Sequence, residues 1–200
     1  GDTRPYAFRR NALERLKKAI LECEKPLYQA LYTDLHKSEG ETFLSEIGLV
    51  LREIDTHLKH LRSWLRPKRV GTPLFMKPSR SQIIYEPYGV ALIMSPWNYP
   101  FQLTLAPLVG AIAAGNCAVV KPSPYTPHVS AVIRQIVESA FTPEHVTVVE
   151  GHRDVNTELL TQRWDYIFFT GSPSMGQVVM QAAAGNLTPV TLELGGKSPC

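Results

Sequence analysis

Cysteine is scarce in this 200-residue chain: Cys23, Cys117 and Cys200 stand far apart and cannot all pair. That excludes a disulfide-stapled secreted scaffold and suits a reducing, cytoplasmic compartment. No apolar run reaches the length of a membrane span; the longest, Leu105–Gly115, is bounded by Thr104 and Asn116. Concentrated charge is missing too. Twenty-one basic and eighteen acidic side chains give a net charge of +3, mixed along the chain apart from short basic runs at Arg9–Lys18 and Arg62–Arg69. Nucleic-acid backbones need a concentrated basic face, so no nucleic-acid partner is expected. Repeats and low-complexity tracts are absent, and the N-terminus lacks both Met and the charged-then-apolar order of a signal peptide. With no Met at its start and an end at Cys200, just after a glycine-rich turn, the chain is expected to be a fragment of a longer protein.

Two phosphate-binding motifs are also missing. Gly195-Gly196-Lys197-Ser198 resembles the end of a Walker loop, but Thr191 stands where the first Gly belongs and Pro199 blocks the required helix. The pattern Gly-x-Gly-x-x-Gly does not occur. No metal site is expected either: His57 and His60 have i, i+3 spacing but no third ligand, and a solvated helix face explains them better.

What is present is enough apolar sequence, 44% of residues, to bury a sizeable core. Up to Arg66 the chain reads as helices. Pro5 opens the first, Leu13, Leu16, Ile20, Cys23 and Leu27 form its stripe, and Pro26 is expected to split it. A further helix is expected from Glu41 to Trp64, with Leu44, Ile47, Leu51, Ile54, Leu58 and Leu61 on one face and Pro67 as its stop. Gly71–Pro78 marks a seam between a helical arm (1–70) and a second part (71–200).

From Ser81 short β-rich runs alternate with helices. Strands are expected at Gln82–Tyr85, Val90–Met94, Ala118–Lys121, Val146–Val149, Tyr166–Thr170 and Val190–Leu192. Thr126 should cap the helix that Pro127 begins, and Gly115 should end the helix before it. The pattern implies an α/β fold, a doubly wound parallel sheet with an N-terminal helical arm.

In such a sheet, ligands bind at the carboxyl ends of the strands. There the sequence places Ser95-Pro96-Trp97-Asn98, Lys121-Pro122-Ser123, Glu150-Gly151, Thr170-Gly171-Ser172 and Glu193-Leu194-Gly195-Gly196. Each has a plain structural reading as well. Asn98 could cap the helix near Pro100, Lys121 could be a solvated charge, and Glu193 could pair with Lys197. Gly171-Ser172-Pro173-Ser174-Met175-Gly176 could be a simple strand-to-helix turn, or helix-terminal amides that hold phosphate.

Five segments together carry a resemblance. They are Pro96–Phe101, Val109–Asn116, Lys121-Pro122-Ser123, Phe169–Ser172 and Thr188–Pro199. With Asp34-Leu35-His36-Lys37 in the arm, the chain resembles the class 3 branch of the aldehyde dehydrogenase superfamily along essentially its whole length. The resemblance implies a Rossmann-like fold, NAD or NADP as cofactor, an aldehyde as substrate and a homodimer when full length. In that family a cysteine thiolate attacks the aldehyde, the thiohemiacetal gives hydride to NAD(P)⁺, and water hydrolyses the thioester.

By the same resemblance Asn98 corresponds to the oxyanion donor and Glu193 to the general base of deacylation. Lys121 corresponds to the ribose-binding lysine. Ser95, Ser123, Gly171, Ser172 and Gly176 fall in cofactor-contacting segments, Trp97 lines the cofactor path, and Leu194 lies near the nicotinamide. Pro124 stands where many members carry a glutamate that disfavours NADP⁺. The family's nucleophile lies downstream in a Gly-Gln-x-Cys setting that does not occur here, and Cys23, Cys117 and Cys200 do not match it. The 200 residues alone are therefore expected to be inactive. Two competing readings are a non-catalytic nucleotide-binding module complete at this length and an interaction protein built on the helical arm.

Overall fold

The structure is a computed structural model and describes residues 1–196. Helices α1 (Tyr6–Glu22) and α2 (Glu24–Leu35) carry the first apolar stripe, and Leu13, Leu16, Ile20, Cys23 and Leu27 are all buried. Their break falls at Cys23, not at Pro26. The proline ring would collide with the carbonyl four residues back, at Glu22, where α1 stops; Pro26 itself sits in the first turn of α2, where its missing N–H costs nothing.

The next helical stretch begins at Glu39 rather than Glu41, because Ser38 Oγ accepts from Glu41 N at 3.2 Å. Helices α3 (Glu39–Thr42) and α4 (Gly48–Trp64) are joined by a π-helical turn, Phe43–Ile47. That wide turn breaks the 3.6-residue period. Leu44 therefore leaves the expected stripe and is 75% exposed, while Glu46 rotates inward and is fully buried. Gly48 suits the turn, since a Cβ there would lie 2.7 Å from Phe43 O.

Pro67 follows α4 as expected, and two short strands come next: β1 (Lys68–Val70) and β2 (Ser81–Ile83). They pair antiparallel as an exposed ribbon apart from the main sheet. The strand expected at Gln82–Tyr85 thus belongs to a separate sheet. Its partner, Lys68–Val70, has no apolar alternation to announce it, and only the long-range pairing makes it a strand.

The main sheet holds β3 (Val90–Met94), β4 (Cys117–Lys121), β5 (Val146–Val148), β6 (Tyr166–Gly171) and β7 (Val190–Leu194). All neighbours are parallel, in the order β5-β4-β3-β6-β7. The connecting helices are α5 (Gln102–Ala114), α6 (Pro127–Ala140), α7 (Arg153–Thr161) and α8 (Pro173–Ala184). Gly115 ends α5 in the left-handed region at φ 89°, as expected.

Side-chain alternation along the strands separates two cores. Ile93, Ala118 and Val120 pack with α5, α6 and the buried stripes of α1, α2 and α4. Leu92, Met94, Ile167 and Phe169 face the other way, against Val179 and Ala183 of α8. This is the α/β, doubly wound architecture expected from the sequence, and the N-terminal helices form a second layer over α5 and α6.

Candidate active site

The strand order reverses between β3 and β6. From β3 the chain winds through α5 to β4 and on to β5, whereas from β6 it winds through α8 to β7. At this switch point α5 ends its coverage of the sheet, and α8 lies on the opposite face. A cleft of about 830 Å³ opens there. One wall is the loop after β3, with Pro96, Trp97 and Asn98, continued by Gln102, Leu103, Ala106 and Pro107 on the first turns of α5. The other wall is the end of β6 and β7, with Phe168, Thr170, Gly171, Ser172, Glu193, Leu194 and Gly195.

The cleft gathers six of the ten residues singled out from sequence: Trp97, Asn98, Gly171, Ser172, Glu193 and Leu194. Parallel register puts Glu193 beside Thr170 and Thr191 beside Phe168, so Glu193 shares the α5-facing side of the sheet with those neighbours. Glu193 is exposed, and its alternative partner Lys197 lies outside the described residues. Trp97 is 54% exposed at the mouth.

Asn98 is exposed and caps nothing. The capping task at α5 falls to Glu46, whose Oε2 accepts from the backbone N–H groups of Phe101 at 3.0 Å and Gln102 at 2.9 Å. Its Oε1 accepts from Lys37 Nζ at 2.7 Å, and both side chains are buried. Lys37 Nζ also donates to Asn98 O at 2.9 Å and sits 4.0 Å from the centre of the Tyr99 ring. Burial pushes the Glu46 carboxyl above the usual carboxylate range, against the opposing pull of Lys37 and the two amides. Among the described residues the Asn98 side-chain amide makes no hydrogen bond.

The other four residues sit away from the cleft wall. Ser95 Oγ is 2.5 Å from Thr104 Oγ1, a contact that ties the loop to the first turn of α5. Ser123 Oγ accepts from Tyr125 N at 3.3 Å and is buried in its own turn. Gly176 lies under Leu194, where a Cβ would meet the leucine side chain at 2.7 Å. Lys121, at the end of β4, is only 2% exposed, so it is not a solvated charge. Its Nζ donates to Pro122 O at 2.9 Å, and burial lowers its pKa while Glu150 and Asp154 act in the other direction. An ammonium has three donors, and among the described residues the other two find no partner.

One cap differs from expectation. Thr126 precedes α6, but its side chain makes no capping bond. Asp34 does so from α2, accepting from Val129 N at 2.9 Å through Oδ2 while Oδ1 lies 2.6 Å from His128 Nδ1. Ser172 caps α8 locally, accepting from Met175 N at 3.3 Å. The supporting residues Glu46, Lys37 and Asp34 were not identified as such from sequence. Asp34 and Lys37 lie in a segment noted only for its resemblance, and no 3.6-residue pattern brings Glu46 inward.

The cysteines offer no activated nucleophile among the described residues. Burial pushes the thiols of Cys23 and Cys117 up, opposite to activation. Cys200 lies outside the described residues.

Residues 2–200 match the family model described as "Aldehyde dehydrogenase family". The human aldehyde dehydrogenase family 3 member B1 is 46% identical over 200 residues, covering 100% of this chain and 43% of the human protein. The solved substrate-bound state of Staphylococcus aureus AldH superposes with a TM-score of 0.97 at 47% identity, over 98% of this chain and 43% of that one. PnpE from Pseudomonas sp. WBC-3, solved in complex with nicotinamide adenine dinucleotide, gives a TM-score of 0.83 at 26% identity, over 96% of this chain and 39% of PnpE. The chain thus spans less than half the length of these relatives. Matched along almost its full length, it belongs to the aldehyde dehydrogenase family.

Proposed function

We propose that this chain is the N-terminal part of an NAD(P)⁺-dependent aldehyde dehydrogenase. Residues 71–200 form the dinucleotide-binding part and 1–70 its helical arm. The whole enzyme oxidises an aldehyde to a carboxylic acid through a cysteine thiohemiacetal, with the cysteine supplied from beyond residue 200. It works in the cytoplasm as a homodimer. The observation that carries the reading is that Asn98 and Glu193 line one cleft at the switch point of a parallel sheet.

The residues present suit a dinucleotide. Lys121 is buried with two spare donors, an arrangement that is costly unless a ligand with acceptors engages them. Ribose hydroxyls are such acceptors. Ser172 and the first turn of α8 offer backbone N–H groups toward phosphate, with Gly171 at the strand end. Trp97 and Leu194 flank the path between these ends, with Ser95, Ser123 and Gly176 shaping the loops beneath. The cofactor supplies the hydride acceptor. Asn98 donates its amide to the oxyanion formed by thiolate attack, and Glu193 takes a proton from the water that cleaves the thioester.

The test is kinetic, on the full-length protein. Asn98→Ala should slow acylation about 10²-fold or more. Glu193→Gln should slow deacylation, leaving a burst of NADH followed by slow turnover. The 200-residue chain alone should form no NADH from any aldehyde. Unchanged phases in both variants would sink the assignment. A binding module complete at this length is the weaker reading, because the matched relatives are enzymes by name and more than twice as long.

A further inference from the structure

We propose that Glu46, held by Lys37, is a positioning residue for Asn98: the buried pair fixes the loop from Asn98 to Gln102 so that the Asn98 amide faces the cleft. The inference rests on the function proposed above. Its basis is where the two side chains attach. Glu46 grips the far end of the loop through the amides of Phe101 and Gln102, and Lys37 grips the near end through the carbonyl of Asn98. The ring of Tyr99, between the two ends, lies against the same ammonium. Among the described residues neither side chain hydrogen-bonds the Asn98 amide, so that group stays unpaired while its backbone is held on both sides.

Ordinary helix capping does not require this arrangement. A local Ser, Thr or Asp would cap α5 without burying two charges, and a buried ion pair is weak evidence for stability because desolvation offsets its attraction. The π-turn at Phe43–Ile47 also has a consequence here, since it is the feature that carries Glu46 into the interior at the expense of exposing Leu44. A stretch of helix departs from its regular form, and the result is a carboxylate under the oxyanion loop. Wide turns of this kind are frequent at functional sites. Misplacing a donor by about 1 Å can cost 10²-fold in rate, so rigidity at this loop bears directly on acylation.

The experiment is a mutant cycle on the full-length enzyme, read by single-turnover NADH formation. Lys37→Met/Glu46→Gln removes both charges together, so no buried charge is left unpaired. It keeps an acceptor for the α5 amides and deletes the tether to Asn98 O. Acylation should slow about tenfold or more, with the Kd for NAD⁺ unchanged. Added to Asn98→Ala, the same change should cost almost nothing further, because its effect passes through the missing amide.

A merely structural pair would slow both backgrounds equally, and that result, or no slowing at all, overturns the proposal. Should the double variant fail to fold, Lys37→Arg keeps the charge paired while its larger head group displaces the Asn98 carbonyl. The cycle is then run on that variant: slowing that vanishes in the Asn98→Ala background supports the positioning role, and equal or absent slowing overturns it. If Asn98→Ala itself leaves acylation unchanged, the role of Asn98 fails, and this proposal falls with it. If Asn98→Ala is slow but the pair acts additively, only the positioning role falls.

Discussion

The two faces of the sheet are finished to different depths. On one, α5 and α6 cover β3, β4 and β5, and α1, α2 and α4 cover those helices in turn. On the other, α7 and α8 form a single layer; α7 has no buried residue, and Val178 and Met180 of α8 are 46% and 55% exposed. The loops follow the same division. On the deep side, the helices after β3 and β4 are capped by carboxylates from distant elements, Glu46 and Asp34. On the shallow side, α8 is capped by its own Ser172. The helical arm therefore does more than add core. It reaches the loop that carries Asn98 and the first turn of α6, the helix that follows the strand ending at Lys121.

The largest effects should come from the deep core itself. Leu16 is fully buried between layers, so Leu16→Ala should cost about 3 kcal/mol in urea unfolding of the full-length protein. Met180→Ala on the shallow face should stay within about 0.5 kcal/mol. Comparable losses at the two positions would erase the difference in depth.

Caps come next. Asp34→Ala removes an acceptor for Val129 N and the contact with His128, and should cost about 2 kcal/mol. Ser172→Ala removes one neutral capping bond at a more open site and should cost about 1 kcal/mol or less. If the two losses are equal, capping from a distance has no energetic distinction from capping within the turn.

Most of the sheet is legible from sequence because its signals are local. Val90–Met94 is an apolar run bounded by turn residues, and Gly115 and Pro127 punctuate helices by backbone geometry alone. The features that escape such reading are set by contacts between distant segments. Lys68–Val70 becomes a strand only because Ser81–Ile83 lies alongside it. Thr126 has the chemistry of a cap, yet Asp34 occupies that role from ninety-five residues away. Glu46 sits inside an apolar pattern whose period the π-turn changes. The site shows the same division: Asn98 and Glu193 stand at strand ends, where topology alone brings them to one cleft. The residues beneath them follow no rule of spacing.

The shallow side holds a buried charge of its own: Lys121 pairs in register with Met94 and shares its face of the sheet. Lys121 has its pKa lowered chiefly by burial, so the folded protein binds its proton less tightly than the unfolded chain does. The penalty is fully present below the lowered value and is relieved as pH rises through it toward the unfolded one. Lys121→Met should therefore raise the melting temperature at pH 7, and this gain should shrink as pH rises toward 10. The same variant should weaken NAD⁺ binding about tenfold, the loss of one charge-assisted hydrogen bond. A variant that is destabilised at pH 7 would show that Lys121 supports the fold instead of waiting for a ligand.

The last effect expected concerns which dinucleotide the loop after β4 prefers. Pro124 is half-buried beside Ser123, and its neighbour Tyr125 is 74% exposed, so the tyrosine is not folded over the loop. Pro124 carries neither charge nor side-chain acceptor, while Lys121 remains as a cation nearby. A glutamate there would accept from a ribose 2′-hydroxyl and repel a 2′-phosphate; without it, the penalty against NADP⁺ falls although no new attraction is gained. We therefore expect use of both cofactors. In the full-length protein, Pro124→Glu should lower the ratio of kcat/KM for NADP⁺ to that for NAD⁺ about tenfold, the equivalent of roughly 1.4 kcal/mol. Asp34 should sharpen this effect, because it anchors the start of α6 and so holds the loop that would carry the new carboxylate. With Asp34→Ala added, the looser loop should let the carboxylate swing away and return part of the NADP⁺ activity. An unchanged ratio in Pro124→Glu would show that the preference is set elsewhere, and would remove the deep side's loop from any role in choosing the cofactor.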